Sequence, residues 1–207
     1  MRVLVLLEVG VDVRIAPPRD PRSGRVREEW LVREVDPGSA RALDLALRLK
    51  SDRPGTHVTV MHLGAPGSEP WLRQPLARGA DRAIRVWDDE LDALGGEAGV
   101  HVRAKALVLA AAARAVGYDL ILSGAAGVVD AGGQLGVLLA ADLGMPCVTQ
   151  VVDRAGAGHA DGDGAVGDAA AGLGAGPRRL RLARALDRGF SDQVELLLPA
   201  VATLSSA

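Results

Sequence analysis

Residues 119–146 read DLILSGAAGVVDAGGQLGVLLAADLGMP, and the rest of the chain can be laid out around them. Asp119 leads into a short apolar strand, Leu120 to Leu122, which empties into a turn of small residues, Ser123, Gly124, Ala125, Ala126 and Gly127. Val128, Val129, Asp130 and Ala131 follow. The pair Gly132 and Gly133 then opens an amphipathic helix from about Gln134 and Leu135 to Leu143, stopped by Gly144 with Pro146 just beyond. A strand that runs through glycines into a helix leaves backbone N–H groups without helical partners, and these point with the positive helix end at one place. Such a place favours an anion such as a phosphate. The same glycines also serve in ordinary turns, so the stretch by itself leaves both readings open.

The chain has 207 residues, of which 48% are hydrophobic, enough for one domain with a substantial core. Its formal net charge of -2 supplies no general attraction to nucleic acid or to an anionic membrane. The single cysteine, Cys147, excludes an internal disulfide framework, fits a reducing cytoplasm and is expected to pack inertly. The apolar runs Val3 to Leu7 and Leu107 to Ala113 are too short to span a bilayer, being stopped by Glu8 and by Lys105 and Arg114. The expectation is a cytoplasmic protein with no membrane insertion and no nucleic-acid partner.

Outward from the quoted stretch, strands alternate with helices. Arg2 to Val9 is continuously apolar, as a buried central strand requires. Residues 12–35 break into prolines, arginines and Gly24, an excursion or hairpin whose arginines are diluted by Asp20, Glu28 and Glu29. Asp36 then Pro37 is a helix start: the carboxylate caps free N–H groups and proline suits the first turn. That helix should reach Lys50, with Leu43, Ala46, Leu47 and Lys50 on one face and Asp44 paired to Arg48. A second strand spans His57 to Leu63. Ser68 is expected to cap a short helix ending at Gly79 and disturbed by Pro75, and a third strand runs from Ile84 to Trp87. An alanine-rich helix from about Val100 to Val116 completes the approach to Asp119. This order argues for an α/β, doubly wound, mostly parallel sheet, with the opening strand beside the Asp119 strand where strand order reverses and ligands at the carboxyl ends.

Beyond a strand at Val148 to Val152 the composition changes. Residues 154–177 are almost wholly Gly, Ala and Asp, too poor in apolar area to offset chain entropy, and are expected to form a flexible loop. Leu180 to Leu186 and Gln193 to Leu198 flank Asp187, Arg188 and Gly189 as an added C-terminal β-hairpin, and Ala200 to Leu204 forms a last strand. The organisation is thus a nucleotide-binding α/β domain over 1–153, the loop over 154–177, and the hairpin with the final strand of the same domain over 178–207.

No nucleophile with a base, paired carboxylates or metal cluster has a convincing spacing. The histidines at 57, 62, 101 and 159 are scattered, Lys50 and Lys105 are the only lysines, and the few aromatics form no base-stacking platform. The residues describe a binder with no catalytic or metal-ligating set of its own.

Four blocks resemble the beta subunit of electron-transfer flavoproteins: Arg2 to Val5; Asp36 and Pro37 with the helix ending Leu47, Arg48, Leu49, Lys50; Ala77 to Ala83 with its Gly79, Ala80, Asp81, Arg82 run; and residues 119–146 through Gly124, Asp130, Gln134, Gly136, Leu143, Gly144 and Pro146. Leu198 to Val201 fits that family's terminal strand. The resemblance implies a fold of the adenine-nucleotide alpha-hydrolase-like type. It also implies a heterodimer with an alpha subunit that holds most of a shared FAD, a structural AMP in the beta subunit, and electrons passing from dehydrogenases to a quinone reductase or another acceptor. Carried over by position, the AMP contacts are Leu6, Asp36, Pro37, Gly38, Ser39, Leu63, and every residue from Gly124 to Leu135, with the phosphate near Gly132 to Leu135. The chain differs from the family in carrying Glu8 for a lysine, Ala125 and Ala126 for Lys-Gln, Asp36 for an asparagine and Ala40 for an acid. Val13 and Gly38 stand where aromatic flavin contacts are expected, and the chain stops soon after Thr203, before the family's C-terminal arm. The competing reading is a non-redox nucleotide-binding regulatory module, like a stress protein, on the same fold.

Overall fold

The computed structural model describes residues 1–93, 100–125, 133–152 and 178–205. The opening strand β1 (Arg2–Leu6) is apolar throughout its buried length because it has a neighbour on each edge and a helix layer over each face. It pairs in parallel with β4 (His57–Leu63) on one side and β6 (Leu120–Gly124) on the other. Outside β4 lies β5 (Arg82–Val86), also parallel. Beyond β6 come β10 (Ala200–Leu204) and β7 (Cys147–Val151) in parallel, then the antiparallel hairpin β8 (Arg179–Ala185) and β9 (Ser191–Leu197). The eight-stranded order is therefore β5-β4-β1-β6-β10-β7-β8-β9.

On one face α1 (Pro37–Asp52) and α2 (Glu69–Ala77) cover Val3, Val5 and Leu7. On the other, α4 (Val102–Val116) and α5 (Leu135–Leu143) cover Leu4, Leu6 and Ile121; a short α3 (Glu90–Ala93) precedes them. Alternation of buried side chains along β1 thus feeds two cores, as the two-residue period of a strand dictates. Chain order steps outward through β1, β4 and β5 and then returns to the far side of β1 with β6. The doubly wound architecture and the reversal between the opening strand and the Asp119 strand agree with the sequence reading.

Several local expectations are corrected. The first strand ends at Leu6, and the chain turns so that β2 (Val9–Val11) pairs antiparallel with β3 (Arg33–Val35), closing the excursion as a separate ribbon. The third strand begins at Arg82 and ends at Val86. Ser68 does not cap α2: its hydroxyl donates to the Ala65 carbonyl at 2.7 Å and serves the turn before the helix. Asp44 pairs across to Arg78 of the α2 exit, leaving Arg48 to other contacts. Leu43 and Ala46 of α1 are buried as expected, but the buried face also takes in Ala42, Leu45 and Leu49, since the helix lies over β1, β6 and β10 as well as β4; Leu47 is half-buried and Lys50 turns outward to Asp81 at 2.6 Å. The hairpin continues the main sheet through Val151 and Arg184. The final strand lies in the middle of that sheet, buried along its whole length.

At the amino edge Asp119 fastens three segments. Its carboxylate accepts from the Arg2 backbone N–H at 2.7 Å and from the Arg178 guanidinium at 2.8 and 3.2 Å. Among the described residues no helix is long and apolar enough to cross a membrane, and no cluster of His, Cys, Asp and Glu could hold a metal ion.

Candidate functional site

The sequence-predicted residues that the structure describes gather at the carboxyl edge of the sheet in two groups. The first is built by the start of α1. Asp36 sits at the helix N-cap with extended backbone, and its carboxylate accepts the Ser39 N–H at 2.8 Å, while Pro37 fills the first helical position and is exposed. This cap is nearly buried because the helix start lies directly on the last residue of β6. A Cβ on Gly38 would stand 2.8 Å from the Gly124 Cα and 3.2 Å from the Leu204 carbonyl; one on Gly124 would stand 2.6 Å from the Asp36 carboxylate. Two glycines therefore allow the close approach of a helix end and a strand end. Ala125 continues the contact, its N–H donating to the Leu204 carbonyl at 2.7 Å.

The second group lies on the opposite face. Leu6 and Leu63, the last residues of β1 and β4, and Leu135, the first of α5, wall a cavity of about 10 Å3, the space of one water molecule. Gly133 has left-handed backbone (φ 54) just before Gln134, which is exposed and offers α5 no side-chain cap. Gly136 lets the first turn of α5 rest on Ser123 and Thr203: a Cβ there would stand 2.4 Å from the Ser123 hydroxyl and 2.5 Å from the Thr203 methyl. Ala126, Gly127, Val128, Val129, Asp130, Ala131 and Gly132 lie outside the described residues.

Glu8 joins the two groups. Its backbone N–H donates to the Ser39 hydroxyl at 3.1 Å, its carbonyl accepts the Asp36 N–H at 2.9 Å, and it also lines the cavity. Five cavity residues are not among the site residues expected from the sequence: Leu7, Glu8, His62, Lys105 and Leu109. His62 is buried with Nδ1 2.8 Å from the Leu7 carbonyl, so the ring tethers the end of β4 to the residue that follows β1. Lys105 shares its wall with Leu109 one helical turn on, and the one signal that could have marked it is the rarity of lysine in the chain. Cys147 is half-buried with its thiol pushed up by burial, as an unreactive packing residue should be.

Chemically, the edge offers an apolar wall, a helix start without a side-chain cap and a tightly packed backbone crossing. It presents no nucleophile set against a base among the described residues.

Comparison with known proteins agrees with this architecture. The family described as Electron transfer flavoprotein domain matches residues 25–206. Subunit CarD of the caffeyl-CoA reductase-Etf complex of Acetobacterium woodii is 37% identical over 135 residues, covering 65% of this chain and 49% of that protein. The electron transfer flavoprotein subunit beta of Clostridium acetobutylicum is 34% identical over 132 residues, covering 64% and 48%. That of Thermoanaerobacterium thermosaccharolyticum is 31% identical over 154 residues, covering 73% and 55%. The chain spans about half the length of these relatives. With the family match running over most of its residues, the chain belongs to the electron transfer flavoprotein family and stands with its beta subunits.

Proposed function

We propose that this chain is the beta-subunit component of an electron-transfer flavoprotein, binding AMP at the carboxyl edge of β1, β4 and β6 and supporting an FAD shared with an alpha subunit. The observation that carries the reading is the meeting of the capped start of α1 with the end of β6 where strand order reverses. Leu6 and Leu63 offer an apolar surface suited to the nucleoside lying along the edge, and the first turn of α5, opened by Leu135, offers N–H groups suited to phosphate. The cavity between them admits one small group, so the bulk of a nucleotide would lie along the edge above it. The AMP is structural and the chain is an electron carrier rather than a self-contained catalyst. FAD, when bound, supplies the electron-accepting chemistry; this chain binds, orients and shields. Its electron donor would be a dehydrogenase and its acceptor a quinone reductase or similar protein, within the cytoplasm.

Co-expression with a candidate alpha subunit tests the proposal. A yellow stoichiometric complex with flavin absorbance, releasing AMP on denaturation as read by mass spectrometry, is the expected result. A colourless chain that stays alone and releases ATP or nothing would replace it with the regulatory reading.

A further inference from the structure

We infer that Lys105 is the cation of the nucleotide site, its ammonium group neutralising the phosphate of the bound nucleotide. This rests on the nucleotide reading above and names the residue that gives the site its charge selectivity.

Lys105 lines the cavity walled by Leu6, Leu63 and Leu135, three of the positions assigned to AMP, and it approaches from α4, an element that none of those positions includes. It is the only lysine or arginine in that lining, and Glu8 contributes an acid to it. A phosphate brought beside the Glu8 carboxylate meets a like charge. Amide dipoles at a helix start, equivalent to roughly half a positive charge, offset only part of such repulsion. A cation on the same wall supplies what is missing.

The other basic groups of this helix are already engaged. Arg103 donates to the Asp142 carboxylate at 2.8 Å and Arg114 to the Asp142 carbonyl. Lys50, the other lysine, bonds Asp81 and the Gly79 carbonyl. Lys105 makes no ion pair with any described residue although it is half-buried. Its chemical type fits as well. Of 24 basic residues only two are lysine, and at this narrow cavity the compact ammonium, with three rotatable donors, takes the place of the broad guanidinium fork used elsewhere.

Calorimetric titration of the full chain with AMP and with adenosine tests the assignment, using Lys105→Gln and Lys105→Arg and checking each variant by thermal unfolding. The wild type should bind AMP more tightly than adenosine. Lys105→Gln should weaken AMP by about tenfold, leave adenosine within about twofold and so erase the preference, while Lys105→Arg retains part of it. Wild-type binding of AMP with undiminished affinity in Lys105→Gln would overturn the role of Lys105 and leave the nucleotide reading standing. A wild type that binds neither ligand would overturn the nucleotide reading itself, and this inference with it. If Lys105→Gln does not fold, wild type and Lys105→Arg decide: in both the AMP-to-adenosine preference should fall as salt rises, and a preference that does not change with salt would overturn the charge contact.

Discussion

Gly38 and Gly124 meet backbone to backbone at the carboxyl edge of the sheet, so closely that a methyl group on Gly38 would come within 2.8 Å of the Gly124 Cα. The Asp36 carboxylate is the third member of the contact. It lies 2.6 Å from where a Gly124 side chain would begin, while accepting the Ser39 N–H. The helix cap, the helix start and the strand end are thus one unit, and none can move without the others. Replacing either glycine by alanine must part α1 from β6, at a cost of about 1–3 kcal/mol for an overpacked site. Because both substitutions force the same separation, Gly38→Ala with Gly124→Ala should cost less than the two singles added together. Urea unfolding of the two single variants and the double variant reads this directly; strict additivity would mean that the two positions do not share one contact.

Asp36 separates two effects of one side chain. As a cap it needs only an acceptor oxygen, so Asp36→Ala should lose about 1 kcal/mol of stability while Asp36→Asn keeps most of it. As a charge it stands at the edge where the phosphate is proposed to bind, so Asp36→Asn should tighten AMP severalfold by removing a like charge. Unfolding and calorimetry on the same pair of variants check both. Unchanged AMP binding in Asp36→Asn would show that the carboxylate faces away from the phosphate.

The Asp119 clamp sets a pH dependence. Burial pushes its carboxyl up, but the Arg178 guanidinium, the Arg2 backbone N–H and the nearby Arg2 charge more than reverse this, so it titrates below the usual carboxylate range. A folded value below the unfolded one means that the stabilisation is fully present above the unfolded value of about 3.9 and is lost as pH falls through the lower folded value. Asp119→Asn should therefore be less stable than wild type by about 1–3 kcal/mol at neutral pH. The gap should narrow below about pH 4, where the wild-type carboxyl itself becomes protonated. Denaturant midpoints measured from pH 7 down to acid conditions test it; a gap that stays constant would assign the effect to shape rather than charge.

How far the sequence could be read follows from the range of the forces involved. The Asp36 cap, the Gly144 stop and the β8–β9 hairpin were all legible, because each is a bargain struck within a few residues of chain. Ser68 misled because a serine hydroxyl before a helix can equally serve the turn behind it, and the Ala65 carbonyl was nearer. The Asp44–Arg48 spacing misled because Arg78 reaches Asp44 from another helix exit, which no helical period encodes. At the site, Leu6, Leu63 and Leu135 line one cavity, while Lys105 carries little local signal because α4 reads as plain alanine-rich packing and its approach to β1 is purely tertiary. The largest gap concerns β10. Its local pattern is that of any buried strand, and nothing within it tells whether it closes an edge or fills the centre.

Its central position makes β10 the segment on which folding should depend most. Ala200 to Leu204 pairs with β6 on one side and β7 on the other, and Leu204 also supplies the carbonyl that takes the Ala125 N–H beside the site. Without it, the edges of β6 and β7 would face each other across an unfilled strand position, with their backbone groups unpaired in a dry core. A chain ending at Pro199 should therefore lose cooperative unfolding altogether. The milder change Leu204→Ala should cost roughly 2–5 kcal/mol, as for other fully buried leucines. Substitutions at the exposed hairpin tip, Asp187 to Gly189, provide the contrast: Asp187→Ser, on the same half of the sheet, should change stability by less than about 0.5 kcal/mol. Near-native thermal unfolding of the truncated chain would show that β6 and β7 can close on each other, and would remove β10 from the core of the fold.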